Sequence, residues 1–181
     1  QVGNATAAGG SSITGNNQSI TAGTGIQSGS ITLTGGVTNV KQAAITNSSG
    51  TQTVSATNLI SLIGGSAANG PGGTCATTGS CAQISNNGAG LQTITANAIS
   101  LQGGSAGAGN NAGIFISAGD TQINAGAGGL IMQGGGGTSS NSARIGGSSS
   151  GGHIITVNVT GTTALTGGSS SNSEATIGLN G

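Results

Sequence analysis

The sequence predicts an all-β fold, a right-handed parallel β-helix (β-solenoid) with about five coils of roughly 30 residues and three short strands in each coil. Two observations predict this fold. A pattern of three parts recurs five times along the chain, and each part alternates apolar and small polar residues, as a strand with one buried face does. A repeat that cannot bury its apolar face alone must stack on its neighbours, so residues 1–181 are interpreted as a single solenoid domain.

The first part of the repeat is an Ile-x-Ala triplet with a β-branched residue at its key position. The triplets are Ile20-Thr21-Ala22, Val54-Ser55-Ala56, Ile94-Thr95-Ala96, Ile123-Asn124-Ala125 and Ile155-Thr156-Val157. Strand alternation turns the middle residue of each triplet outward, toward solvent. These outward positions form a candidate binding face of hydroxyl and amide groups: Thr21, Ser55, Thr95, Asn124 and Thr156.

The second part ends in a double glycine that follows a large apolar residue at a fixed offset, and the third part is an Ala-x-Ile triplet. The apolar residues of each part are expected to stack from coil to coil as rows of the core. The second part predicts the row Leu33, Leu62, Leu101, Met132 and Leu165. The third part predicts the row Ile45, Ile84, Ile114, Ile145 and Ile177.

The spacing between the second and third parts marks one irregular copy. The alanine of the third part follows the double glycine by seven or eight positions in four copies and by 17 positions in the remaining one. The excess lies near residues 66–81 and contains both cysteines and the only proline. A surplus confined to one connection predicts a surface loop inserted into a regular array.

Cys75 and Cys81 both lie in this inserted loop. A tetrahedral metal site would need four ligands, and His153 is the only histidine of the chain. We therefore expect a disulfide between Cys75 and Cys81 that closes a small loop outside the solenoid wall, in an oxidising compartment.

The chain is poor in the residues from which active sites are built. Asp120 and Glu174 are its only acidic residues, and neither stands in a recognisable motif. A glycosidase or lyase needs two carboxylates, or a carboxylate and a base, at one site. The sequence therefore predicts no catalytic residue, no cofactor and no metal site, and we interpret the protein as not being an enzyme.

Charge and hydropathy exclude two further classes of partner. Two basic and two acidic residues give a formal net charge of zero, so binding to nucleic acid or to an anionic membrane is not expected. The sequence contains no run of about 20 apolar residues, so membrane insertion is not expected either. The chain begins at Gln1 without a signal peptide, as a processed or excised segment would.

The segments 92–96 (Gln-Thr-Ile-Thr-Ala) and 99–104 (Ile-Ser-Leu-Gln-Gly-Gly) and their equivalents resemble the repeat shafts of bacterial filamentous-haemagglutinin-like surface proteins. The resemblance covers almost the whole chain, from about residue 16 to residue 177. It implies a right-handed β-helix that is secreted, is located at the bacterial cell surface or in the extracellular medium, and has an adhesive or fibrous role. It transfers no functional residues, only an architecture.

Together these observations predict a non-enzymatic structural module of an extracellular bacterial fibre or adhesin shaft that stacks axially through open solenoid ends. The expected partners are other copies of the chain, head-to-tail, or further repeats of the same parent protein, and beyond these a host surface or glycan. The alternative is a binding module for ice or carbohydrate on the Thr/Ser face. A polar solvent face without any ligand is the simplest interpretation of the same residues.

Overall fold

The computed structural model describes residues 4–8, 10–38, 41–67, 79–147 and 153–178 of the chain. These residues form strands, turns and connecting loops, with no helix among them. Their strands pair in parallel within one sheet, which winds into a β-solenoid of about five coils. The all-β solenoid predicted from the repeat is thereby confirmed.

The described residues contain twelve strands in chain order. They are β1 (Asn4–Ala8), β2 (Ser11–Ala22), β3 (Ser30–Thr34), β4 (Ala43–Ile63), β5 (Ala82–Asn86), β6 (Gln92–Gln102), β7 (Ala112–Ile116), β8 (Thr121–Gln133), β9 (Ala143–Gly147), β10 (Ile155–Val159), β11 (Thr163–Thr166) and β12 (Ala175–Ile177).

Each full coil has three walls, and every wall stacks in parallel on the equivalent wall of the next coil. The first wall contains residues 18–22, 52–56, 92–96, 121–125 and 155–159. The second wall contains β1, β3, residues 59–63, 98–102 and 129–133, and β11. The third wall contains residues 11–15 and 43–47 together with β5, β7, β9 and β12.

Several strands turn a corner of the coil without interruption, so the short strands expected from the repeat are joined into longer, bent ones. β4 carries the third wall of one coil and the first and second walls of the next. Its first bend contains Gly50, whose φ of 72° suits glycine. Its second bend is marked by a register shift between Ala56 and Leu59. A shift of this kind is a bulge, which re-aims the strand while the ladder continues on both sides.

The N-terminal end carries a partial coil that the repeat pattern does not predict. β1 pairs with β3, and residues 11–15 pair with residues 43–47, so that Ala7 stands opposite Leu33 and Ile13 stands opposite Ile45. An alanine therefore takes the place of the large apolar residue that identifies the second part in the other copies. Without that residue the copy lacks the signal from which a coil can be predicted.

The core is a stack of apolar rows enclosed by the three walls. The register places Leu33, Leu62, Leu101, Met132 and Leu165 opposite one another in the second wall, and Ile45, Ile84, Ile114, Ile145 and Ile177 opposite one another in the third. The first wall contributes Ile20, Val54, Ile94 and Ile123. Exposure rises in the last described coil, where Leu165 is 44% exposed while Met132, one coil earlier, is 0% exposed.

The double glycines lie at the corner between the second and third walls, where stacked backbones approach each other closely. A side chain at Gly103 would overlap the carbonyl oxygen of Asn141 in the next coil, and one at Gly104 would overlap the carbonyl oxygen of Gly65 in the previous coil. The amide of Gly103 donates to the carbonyl of Gln133 at 2.8 Å and continues the ladder around the corner. Stacking itself therefore requires glycine at both positions.

Candidate functional site

The candidate binding face lies on the outer side of the first wall. Thr21, Ser55, Thr95 and Asn124 stand opposite one another in successive coils. Their side chains are half-buried or exposed, whereas the residues on either side of each of them face the core. Strand alternation thus places these hydroxyl and amide groups in one outward file along the solenoid.

The fifth member of the predicted face is wrong. Val157 stands opposite Ile123 and Asn158 stands opposite Asn124, so the fifth triplet is Val157-Asn158-Val159. Thr156 stands opposite Gln122 instead, two positions earlier in the strand. A shift of two residues keeps every side chain on its predicted side of the strand, so alternation alone could not exclude it.

The corrected register reveals a second outward file on the same wall. This file lies two positions before the first one in each strand, and the pairing aligns Ser19, Thr53, Thr93, Gln122 and Thr156. The first wall therefore presents two parallel files of uncharged hydrogen-bonding groups to solvent. The sequence interpretation did not include this file, because it began at the Ile-x-Ala triplet and left out the residue before it.

Side chains of the first file are hydrogen-bonded to each other at three steps along the solenoid axis. The hydroxyl of Ser55 donates to that of Thr21 at 3.1 Å, and the amide of Asn124 donates to the hydroxyl of Thr95 at 3.3 Å. Asn158 in turn donates to the carbonyl oxygen of the Asn124 side chain at 2.9 Å. These bonds fix the rotamers of a file that would otherwise be mobile in solvent, which lowers the entropic cost of binding a ligand there.

An open groove with a volume of about 620 Å³ follows this file along the solenoid. Thr21, Ser55, Thr95, Asn124 and Asn158 line it together with the residues two positions further on, which are Gly23, Thr57, Asn97, Gly126 and Thr160. Four of the five residues of the predicted face thus line one concave surface, and Asn158 takes the place of Thr156. No charged residue is among the residues that line the groove.

Inside the first wall, a ladder of four side chains, three of them buried, runs parallel to the outward files. We name Gln18, Gln52, Gln92 and Thr121 the glutamine ladder. Gln52 donates to Gln18 at 2.8 Å, Gln92 donates to Gln52 at 2.7 Å, and the hydroxyl of Thr121 donates to Gln92 at 2.8 Å. Gln52 and Gln92 are 0% exposed, so these bonds satisfy amides that would otherwise be buried without partners.

A second ladder of buried side chains lies at the start of the third wall. We name Ser80, Asn110, Asn141 and Ser173 the corner ladder. The side chain of Asn110 accepts from the backbone amide of Ser80 at 2.9 Å, Asn141 accepts from that of Asn110 at 2.9 Å, and Ser173 accepts from that of Asn141 at 3.1 Å. Each coil thus satisfies an amide of the coil before it, so the ladder specifies the stacking of successive coils.

The sequence interpretation missed both ladders, although each has a signal in the repeat. The corner ladder stands two positions before the alanine of every Ala-x-Ile triplet after the first, and the glutamine ladder stands two positions before the first residue of the Ile-x-Ala triplet. The corner ladder contains Asn or Ser at each position, and the glutamine ladder contains Gln or Thr. A pattern based on apolar residues does not include them.

Cys81 is not in an exposed loop, so that part of the prediction is wrong. Its side chain is 0% exposed, and its Sγ lies 3.3 Å from the carbonyl oxygen of Gly109. Its own carbonyl accepts from the amide of Ala43 at 2.9 Å. Ser80 and Cys81 therefore belong to the stacked coil. Cys75 lies outside the described residues, so the disulfide between Cys75 and Cys81 stays a prediction.

The boundary of the inserted loop can be tested by deletion. Removing residues 69–77 leaves five residues between Gly65 and Ser80, as between Gly104 and Asn110 in the next coil. We expect this variant to keep its strand content and its melting temperature within about 4 °C. The reason is that shortening a surface loop changes the free energy of unfolding by less than about 1 kcal/mol.

The matched control is a deletion of residues 69–81, which also removes Ser80 and Cys81. We expect it to lose most of its strand content, because Ser80 of the corner ladder and the Cys81 carbonyl that pairs with Ala43 are removed with it. Both variants can be compared by far-ultraviolet circular dichroism during heating. Equal tolerance of the two deletions would contradict the place of Ser80 and Cys81 in the coil.

The titratable residues of the described part of the chain are scattered. Asp120 is exposed, and its Oδ1 accepts from the amide of Ile154 at 2.9 Å. His153 is half-buried, and Glu174 lies exposed before β12. Within the described ranges, no three of the His, Cys, Asp and Glu residues come together as metal ligands would. The groove on the first wall, by contrast, brings four residues of the predicted face together in one surface.

Comparison with known proteins finds no relative: no family model matches the chain, and neither a curated protein nor a solved structure is significantly similar to it. The resemblance to filamentous-haemagglutinin-like repeats therefore stays a prediction from the sequence. Within the part of the chain that the structure describes, no helix is long and apolar enough to cross a membrane.

Proposed function

We propose that this chain is a non-enzymatic structural module of an extracellular bacterial fibre or adhesin shaft. The observation that carries the proposal is the continuity of the parallel ladder. It runs through every described coil and ends, at both ends of the described chain, in strands that are paired on one side only. An open strand edge is a template for another strand, so a solenoid of this kind is suited to axial extension.

The interior ladders support a role in bearing load along the axis. The glutamine ladder and the corner ladder each link successive coils by side-chain hydrogen bonds, in addition to the backbone ladder. Buried amides that are bonded to their equivalents in adjacent coils fix the stacking register. A module with a fixed register and an almost uncharged surface is a suitable spacer in a shaft.

The cellular location can be tested without knowledge of any ligand. In the organism that makes the protein, antibodies raised against the purified chain should label intact cells or the fibres shed from them. Labelling that appears only after the cells are permeabilised would overturn the proposed function. An antibody against a cytoplasmic protein of the same cells serves as the control for intactness.

A second candidate function is the binding of a neutral carbohydrate in the groove of the first wall. The groove is concave and follows several coils, and the residues that line it are uncharged. Hydroxyl and amide groups at regular steps along it can pair with the hydroxyls of an extended glycan. Ice is the weaker candidate, because the amides of Asn124 and Asn158 interrupt the file of hydroxyls.

This second function predicts a difference between two neighbouring threonines. Thr95→Val should weaken the binding of a neutral hexasaccharide such as cellohexaose by about 3- to 10-fold, because a side-chain hydrogen bond is worth about 0.5–1.5 kcal/mol. Thr93→Val is the matched control, since Thr93 lies in the same strand but not in the groove. Binding can be measured by calorimetry or by shifts of amide resonances.

Failure of cellohexaose and maltohexaose to bind at millimolar concentration would contradict the carbohydrate function. A freezing hysteresis that Thr95→Val reduces would assign the face to ice instead. Neither result bears on the location of the protein, which the antibody labelling tests separately.

A further inference from the structure

The C-terminal edge of the described solenoid consists of β10, β11 and β12. Each of these strands is paired on one side, with β8 or with β9. The apolar rows of the core continue into this edge and are incompletely covered there. Leu165 is 44% exposed and Ile177 is half-buried, whereas Met132 and Ile145 in the coil below are 0% exposed.

One glycine at this edge stands where its equivalents are required by a further coil. In the coil below, a side chain at Gly134 would overlap the carbonyl oxygen of Ser173. The equivalent residue in the last described coil is Gly167, and a Cβ there meets no atom within 4 Å.

A glycine without steric need is an unfavourable choice, because it increases the entropy of the unfolded chain. The last described coil thus has, at its corner, the glycine that a coil needs when another coil stacks on it. This observation is independent of the exposed apolar rows, and both point to the same occupant, which is a further parallel coil.

The N-terminal edge has strands for two of the three walls of such an occupant. β1 continues the second wall and residues 11–15 continue the third, and each is paired on one side with the coil that follows. If this edge stacked on the C-terminal edge of another copy in the same register, Ala7 would stand opposite Leu165. Ile13, which is 44% exposed, would stand opposite Ile177.

The few charges of the chain fit the same arrangement. Glu174 is exposed at the C-terminal edge, one position before the alanine of its Ala-x-Ile triplet. Lys41 stands two positions before the alanine of its own triplet, near the N-terminal edge, and its Cδ lies 3.4 Å from the position of a Cβ at Gly10. Stacking would therefore place Lys41 two coils from Glu174 at the same corner of the solenoid, with the lysine side chain reaching past Gly10 toward the carboxylate.

We propose that the C-terminal edge binds the N-terminal edge of a second copy of this chain, head-to-tail, through parallel pairing of β11 with β1 and of β12 with residues 11–15. The proposal deepens the proposed shaft function and rests on it, since it names the partner and the register of axial stacking. The two edges differ, so the contact leaves a free edge at each end and leads to filaments, not closed dimers.

The test is the valine variant of Gly167, with Gly134→Val as the matched control. Gly167→Val should unfold at the same temperature as the unchanged chain at low concentration, since the new side chain meets no atom of its own molecule. Gly134→Val should fail to fold, because its side chain would overlap the next coil. The pair thus separates a role of glycine in folding from a role in association.

Association is measured by analytical ultracentrifugation and light scattering over a concentration series of the purified full chain. We expect the mass of the unchanged chain to rise with concentration, and that of Gly167→Val to stay at one chain. Glu174→Lys should weaken association by about 3- to 10-fold at low salt, and Lys41→Glu added to it should restore the affinity.

An unchanged chain that remains a monomer at millimolar concentration would overturn the proposal, and so would a Gly167→Val variant that associates as strongly as the unchanged chain. These outcomes leave the antibody labelling of cells unaffected. Failure of the stacking proposal and failure of the shaft function are therefore distinguishable.

Discussion

Replacing Leu101 by aspartate is expected to abolish the folded solenoid. Leu101 is 0% exposed and stands between Leu62 and Met132 in the central row of the second wall. The substitution removes a large apolar side chain and places a carboxylate without a partner in a core that is only a few side chains wide. We expect a loss of about 5 kcal/mol or more, which is comparable with the whole stability of a marginally stable domain, since domains are stable by about 5–15 kcal/mol.

The matched control is Ser100→Asp, in the adjacent position of the same strand. Ser100 is half-buried and faces outward, so its carboxylate would reach water. We expect a change below about 1 kcal/mol. The chain has no tryptophan or tyrosine, so the variants are best compared by circular dichroism and calorimetry. Similar melting temperatures for the two variants would show that the alternation assigned to this strand is wrong.

Replacing Asn110 by alanine is expected to destabilise the solenoid by about 2–5 kcal/mol, since each buried polar group left without a partner costs about 1–3 kcal/mol. Asn110 is 0% exposed. Its side chain accepts from the amide of Ser80 at 2.9 Å and donates to the carbonyls of Ala106 at 2.6 Å and Ala67 at 3.2 Å. Alanine removes the side-chain partner of all three of these backbone groups.

Asn110→Asp separates the accepting from the donating role of this side chain. The carboxylate still accepts from Ser80, but it directs an oxygen at two carbonyls, so we expect a loss at least as large as for alanine. Asn97→Ala is the control, because Asn97 is exposed on the outer side of the solenoid. Urea unfolding curves that coincide for Asn110→Ala and Asn97→Ala would exclude a structural role for the corner ladder.

The two predictions concern different kinds of specificity. The apolar rows determine which side of each strand faces inward, and many apolar residues of similar size would serve. The corner ladder determines which residue of one coil stands above which residue of the next, because a side-chain amide must reach one particular backbone group. A solenoid needs both, since apolar burial alone permits coils to slide by two residues.

The sequence alone is sufficient to predict the fold class, the five full coils and the composition of two core rows. It could do so because the double glycine and the large apolar residue before it occur at a fixed offset in each copy. Leu33, Leu62, Leu101, Met132 and Leu165 were assigned to one row on this basis, and the observed register places them in one row. The glycines carry this information because stacked backbones leave no room for a Cβ there.

Pairing and packing between coils are needed to assign the register of the fifth copy, the place of Cys81 and the partial coil that contains β1. Ile155-Thr156-Val157 and Val157-Asn158-Val159 alternate equally well, and pairing with β8 selects the second. Cys81 lies beside the inserted loop in sequence, yet hydrogen bonds to neighbouring coils place it in the wall. The physical reason is common to these cases: alternation has a period of two residues and reports only inside or outside, whereas the contacts between coils fix which residues meet.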